Sequence, residues 1–215
     1  MSDPFIIDVI SDVICPWCFL GKRRLDKALT LLDGVKVMVR WRPFALDPTI
    51  PAEGMDRVEH LTAKFGRERL KTLHDPLFAA GAKDGVPFRF EAITRTPNTL
   101  DAHRVMRWAQ TVERQHDMAE RLFMAYWSEG KDVGNRAVLA AEAGAVGINA
   151  AQIAELLASQ QDVAEVNAEI AHAGNIGVTG VPTYILGQSY ALAGAQSPEI
   201  LADAINRVAR EMAEA

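Results

Sequence analysis

Cys15 and Cys18 are the residues of this sequence best suited to covalent chemistry, set two residues apart in Ile14-Cys15-Pro16-Trp17-Cys18. A cysteine attacks as thiolate, and a free thiol with a pKa near ~8.5 holds little of that form at neutral pH. Opening a helix with Cys15 helps, because the unpaired N–H groups and dipole of the first turn favour negative charge. The spacing brings the second sulfur within bonding reach across that turn while leaving it further inside. Cys15 is therefore the expected attacking thiol and Cys18 the resolving one. Pro16 suits the first helical turn, where it removes no hydrogen bond. Trp17 is expected to shield the disulfide or touch a polypeptide substrate, with plain packing as the competing reading.

A CxxC pair also binds zinc, but zinc would need ligands from elsewhere. No second CxxC exists, and His60, His74, His103, His116 and His172 lack the compact spacing of common structural sites. No resident metal or organic cofactor is expected, the redox-active disulfide being itself the working group. At 215 residues the chain can bury a proper core, so it has no need of a disulfide staple. The net charge of −5 supplies no field for nucleic-acid phosphates or an anionic membrane. No apolar run is long enough to span a bilayer, and Met1-Ser2-Asp3-Pro4 has no basic leader. A cytoplasmic protein is expected, in a compartment where a CxxC pair is catalytic, sensing or metal-binding rather than structural.

These cysteines must be positioned by their neighbours. Phe5 to Ile10 reads as a buried strand with Asp8 as its polar member. After the motif, Leu20, Leu25, Ala28, Leu29 and Leu32 recur at helical spacing and stop at Asp33-Gly34. Val35, Val37, Val39 and Trp41 alternate with polar residues as a second strand, and Pro43, Pro48 and Pro51 mark a boundary. From about Met55 to His172 the pattern is helix after helix, with Asp56, Asn98 or Thr99, Asn135, Asn149 and Asp162 as candidate N-caps. Strand character returns at Pro182 to Leu186 and Tyr190 to Leu192, joined by Gly187-Gln188 as a hairpin. Ser197-Pro198-Glu199 opens a last helix.

This order predicts an α/β thioredoxin-like fold with a large all-helical insertion. Residues 1–50 and 175–215 form the thioredoxin-like domain and residues 51–174 the inserted helical domain. In such a topology Val181-Pro182 stands where a cis proline lies beside the cysteines, and an X–Pro bond adopts cis at small cost. Val181 and Pro182 are taken, with Pro16 and Trp17, as substrate-binding candidates. A plain strand-entry proline is the alternative.

Ser11-Asp12-Val13-Ile14-Cys15-Pro16-Trp17-Cys18, Asn98-Thr99-Leu100-Asp101-Ala102-His103-Arg104 and Gly177-Val178-Thr179-Gly180-Val181-Pro182-Thr183 together resemble the cytoplasmic DsbA-like family that includes FrnE-type oxidoreductases. The resemblance implies a thioredoxin-like domain with an inserted helical domain, an active-site disulfide, and protein dithiols or disulfides as substrates. It also implies that the helix of the second segment faces the active-site cleft, which makes His103 a further substrate-binding candidate. Asp12 is awkward, since a nearby carboxylate disfavours thiolate, and it is expected to point away or bind the loop backbone.

The expected function is thiol–disulfide exchange on polypeptide or small thiols and disulfides, with glutathione as a candidate redox partner. One alternative is a glutathione-dependent isomerase or transferase resembling the 2-hydroxychromene-2-carboxylate isomerase and kappa-class transferase group, which typically carries serine where this chain has Cys15. The other is a redox-sensing, client-binding protein of chaperone type. Direction of exchange and oligomeric state are not set by the sequence.

Overall fold

The computed structural model describes residues 4–70 and 72–214. Strand β1 (Phe5–Ser11) lies at the centre, with Ile7, Val9, Ile10 and Ser11 buried, so that its C-terminal half is covered on both faces. It pairs in parallel with β2 (Val37–Pro43), Val9 opposite Trp41. On its other side it pairs antiparallel with β5 (Thr183–Leu186), Val9 opposite Tyr184. Strand β6 (Tyr190–Ala193) closes the order β2-β1-β5-β6 through the Gly187-Gln188 turn. Both turn residues have positive φ, which glycine adopts freely.

The parallel connection between β1 and β2 runs through helix α1 (Pro16–Leu29). That helix ends before Leu32, short of the expected Asp33-Gly34 stop. The Thr30 hydroxyl donates to Lys27 O at 2.7 Å and Leu31 N to Ala28 O, so a tight turn takes the last carbonyls. Helix α10 (Pro198–Glu214) packs on α1.

Between the two halves of the sheet lie α2 (Arg57–Phe65), α3 (Arg67–Leu70), α4 (Asp75–Asp84), α5 (Leu100–Thr111), α6 (Gln115–Trp127), α7 (Arg136–Ala145), α8 (Ala150–Ala158) and α9 (Val163–Asn175). A two-residue ladder, β3 (Met55–Asp56) with β4 (Arg95–Thr96), interrupts them. Helices α5, α6 and α9 lean on β2, so these helices and the sheet share one continuous core. Asp56, Asn135 and Asn149 accept the helix-start N–H bonds expected of them. Asp162 does not: it sits at φ 60° and spends its carboxylate on Arg107 and the Trp108 indole.

Candidate active site

Cys15 is the N-cap of α1 and Pro16 its first helical residue. The Cys15 carbonyl accepts from Cys18 N at 3.0 Å and Phe19 N at 3.3 Å, so the first turn begins at the cysteine itself. Both cysteines are free thiols. Cys15 is 4% exposed and forms part of a cavity wall, whereas Cys18 lies one turn deeper with no exposure. Burial pushes the Cys18 thiol up, and the neighbouring Cys15 sulfur pushes the same way. The Ser11 hydroxyl and the Asp12 backbone oppose this only in part.

The Val181-Pro182 peptide is cis, and the Cys15 thiol points at Val181 O across 3.5 Å. Thr183 Oγ1 donates to Gly180 O, and Gly194 N to Pro182 O, fastening this loop from both sides. Gly21 packs closely beneath it. A methyl group there would stand 2.5 Å from Tyr184 Oη and 2.9 Å from Pro182 Cγ. Tyr184 Oη is buried and has no hydrogen-bond partner among the described residues.

Asp12 is wholly buried and bonds the loop backbone, accepting from Ile14 N and, at 2.8 Å, from Leu46 N. It thereby ties the cysteine loop to the segment after β2. Asp8 faces away, paired with Arg40 and Arg42 on β2. His103 donates from Nε2 to Phe44 O at 3.0 Å. It borders a small separate void of about 20 Å³ beside Ser11, Val13 and Trp41, not the cavity at Cys15. Its neighbour Arg104 is fully buried, with bonds to Leu156 O, Ser159 O, Gln161 O and Asp101.

The cavity at Cys15 measures about 330 Å³. One wall carries Ile14, Cys15, Pro16, Trp17, Gly180 and Val181, bringing three of the substrate-binding candidates around the Cys15 sulfur. Trp17 is 41% exposed at its rim. The opposite wall comes from the inserted helices and carries Arg57, His60, Lys64, His74, Tyr126 and Trp127. Trp127 Nε1 donates to Val13 O at 3.0 Å, which locks α6 onto the cysteine loop. Burial, and then the Arg57 charge, lower His74 to about 4, so its ring is neutral at pH 7. Burial raises Tyr126 to about 12, against the pull of Arg57. Sequence reasoning did not bring these residues to Cys15: they share no spacing with the cysteines and meet them only through the tertiary fold. Among the described residues no group of three or more His, Cys, Asp or Glu is arranged to hold a metal ion. No helix among them is long and apolar enough to cross a membrane.

A cysteine pair on the first turn of α1, facing a cis-proline loop above a mixed four-stranded sheet, is a thioredoxin-like arrangement. The DSBA-like thioredoxin domain model matches residues 6–206, and the chain belongs to that family of thiol–disulfide oxidoreductases. Among solved structures it is similar to a probable DsbA oxidoreductase from Streptomyces coelicolor, with a TM-score of 0.85 and 29% identity. That match covers 94% of this chain and 89% of the other. The fold is shared with 2-hydroxychromene-2-carboxylate isomerase, at a TM-score of 0.73 and 19% identity over 97% and 98% of the two chains. It is shared too with the cytosolic disulfide reductase DsbM from Pseudomonas aeruginosa, solved with GSH, at 0.66 and 16% over 98% and 100%.

Proposed function

We propose that the protein exchanges disulfides of polypeptides or small thiols through Cys15 and Cys18. The observation that carries this reading is the asymmetry of the pair, one sulfur on a cavity wall beside Val181 O and the other buried behind it with a raised pKa. Cys15 thiolate attacks a substrate disulfide, forming a Cys15–substrate bond and releasing one substrate thiolate, which takes a proton from water. Cys18 then attacks Cys15, breaking the Cys15–substrate bond and forming the intramolecular disulfide, while its proton passes to the departing thiolate to give the second thiol. Two protein thiols are thus oxidised and one substrate disulfide reduced. A dithiol of sufficiently low potential returns the pair to its starting state by the reverse steps. Burial, which raises the Cys18 thiol, favours its protonated form in the reduced protein.

Pro16, Trp17 and Val181 form the face a substrate disulfide meets, with the Val181 carbonyl as a backbone acceptor and the cis Pro182 behind it holding that carbonyl in place. The FrnE-type assignment within the family rests on the three sequence segments and on Cys15 occupying the position of the isomerase group's serine. A cytoplasmic location belongs to the same proposal and is supported by the cytosolic reductase among the fold neighbours. The same neighbour's GSH supports glutathione as a redox partner.

Cys18→Ser is expected to accumulate a mixed disulfide on Cys15 when given a substrate disulfide, and Cys15→Ser to remain folded without exchange activity. Intact-mass spectrometry and circular dichroism read both outcomes. A folded Cys15→Ser with native turnover refutes the assignment of the nucleophile. Failure of Cys18→Ser to trap substrate where the native protein turns over refutes the resolving step.

A further inference from the structure

Among the described residues three cationic side chains are buried: Lys22, Arg57 and Arg104. A buried charge is costly unless it is paired and hydrogen-bonded. Lys22 has Asp26 and Glu120, and Arg104 has Asp101. Arg57, 7% exposed, pairs with no carboxylate among the described residues. Its Nη1 donates to Tyr126 Oη at 3.1 Å, and its guanidinium lies 5.3 Å from the Trp127 ring centroid and 6.0 Å from that of Tyr126. These contacts fix the orientation of a guanidinium fork without neutralising it.

That unneutralised cation stands on the wall of the cavity that holds Cys15. The acid on the wall, Asp47, is already engaged by Thr49, His60 and Lys64. Two other residues of the cavity, His60 and Thr96, carry buried polar atoms, Nδ1 and Oγ1, that have no hydrogen-bond partner among the described residues. Buried polar groups are rarely left so: His60 donates from Nε2 to Asp47, which leaves Nδ1 as an acceptor, and the Thr96 hydroxyl can donate or accept, so it is the Arg57 fork that calls for a ligand with acceptors. Leu61, Phe65, Leu73 and Leu77, from α2, α4 and the segment between, give the same wall an apolar part. At about 330 Å³ the space is of small-ligand size, at the low end of the usual range of ~300–1,000 Å³.

We propose that Arg57 is the anion subsite of a pocket for small carboxylate-bearing thiols and their disulfides, which bind with sulfur at Cys15 and carboxylate on the guanidinium. The inference rests on the exchange reaction at Cys15 and adds its substrate class. A carboxylate on an arginine fork makes charge-assisted bonds of directed geometry, so Arg57 would select the acid over a neutral analogue of the same shape.

Reduced protein is mixed with dithiobis(nitrobenzoate), which bears a carboxylate on each ring, or with uncharged dithiodipyridine, and release of the chromophoric thiol is timed. In Arg57→Gln the ratio of the two rate constants, carboxylate over neutral, is expected to fall by roughly 10- to 100-fold, with Arg57→Lys between. An unchanged ratio in a folded variant overturns the proposal. A parallel loss of insulin reduction assigns the subsite to polypeptide acids and overturns the small-molecule class. Failure of both reagents to oxidise Cys15 in the unaltered protein instead refutes the exchange reaction itself. Should Arg57→Gln not fold, unaltered protein is protected from iodoacetamide by methylthiopropionate or its amide. Protection of Cys15 by the acid alone is expected, and equal protection, or none, overturns the assignment.

Discussion

Replacing Gly21 by alanine adds one methyl group to α1 directly beneath the cis-proline loop. In an open helix interior the change would stabilise by about 1 kcal/mol, since glycine is the poorer helix former. Here the new carbon would lie 2.5 Å from Tyr184 Oη, 2.9 Å from Pro182 Cγ and 3.5 Å from Pro182 Cβ. Neither neighbour is a free side-chain end. Tyr184 is fully buried on β5, and Pro182 belongs to a loop fastened at Thr183 and Gly194. Overpacking of this kind costs about 1–3 kcal/mol, so the net effect is a destabilisation of about 0–2 kcal/mol. Tyr184→Phe removes the nearest atom and an unpaired buried hydroxyl together, and alone should stabilise by up to about 1 kcal/mol. The double variant is then less destabilised than the sum of the two, with a coupling of about 0.5–2 kcal/mol. Equilibrium urea unfolding of the four proteins closes the cycle. A Gly21→Ala protein more stable by the full helix increment, or a coupling indistinguishable from zero, would refute the close packing of α1 on this loop.

Brief iodoacetamide treatment at neutral pH is expected to label Cys15 and spare Cys18, whose labelling grows only as the pH rises above the ordinary thiol range. Peptide mapping that finds Cys18 labelled first contradicts this order. Asp47 is held well below the usual carboxylate range, by the Thr49 hydroxyl first and then by His60. Its stabilisation is therefore present above about pH 4 and lost as the pH falls towards its folded value, so Asp47→Asn should flatten the loss of stability in that acid window. An unaltered slope in acid unfolding would show that the depression is absent. Arg104→Met leaves the Leu156, Ser159 and Gln161 carbonyls without their donor and should destabilise by about 3–5 kcal/mol, with less than about 1 in urea unfolding counting against it.

Elements whose cause is local were readable from the sequence. A short β-branched and aromatic run marked β1, alternation marked β2, the Gly187-Gln188 pair marked the β5–β6 hairpin, and Asp56, Asn135 and Asn149 marked their helix starts, because each depends on neighbours within a few residues. Asp162 had the right residue type in the right place, yet Arg107 and Trp108, brought by α5, claim its carboxylate. The β3–β4 ladder has two residues on each side and no periodicity to display. At the site, the cysteines and the proline loop were legible because a short motif carries them. Arg57, Tyr126 and Trp127 were not, since nothing in the sequence places a cation of α2 and two aromatics of α6 opposite Cys15.

The segment Asn98 to Arg104 shows how a motif near an active site can do its work away from the chemistry. Asn98 donates to Ile50 O and caps Leu100 N, and His103 holds Phe44 O, so one side of α5 fastens the chain between residues 44 and 50. Arg104, about 100° further round the helix, reaches the opposite way to the carbonyls that end α8. The fastened segment includes Leu46 and Asp47, both on the cavity wall, and Leu46 N is also the donor to Asp12 in the cysteine loop. A single rigid helix thus connects the α8–α9 junction to the loop that presents Cys15. Loss of His103 as a donor should consequently act on the cavity by loosening residues 44–47, and not by removing a group from the reacting sulfur. His103→Gln, whose amide N–H can still reach a carbonyl, is expected to keep more exchange activity than His103→Leu in steady-state assays. Equal activity in two folded variants would show that the Phe44 bond does not position the site.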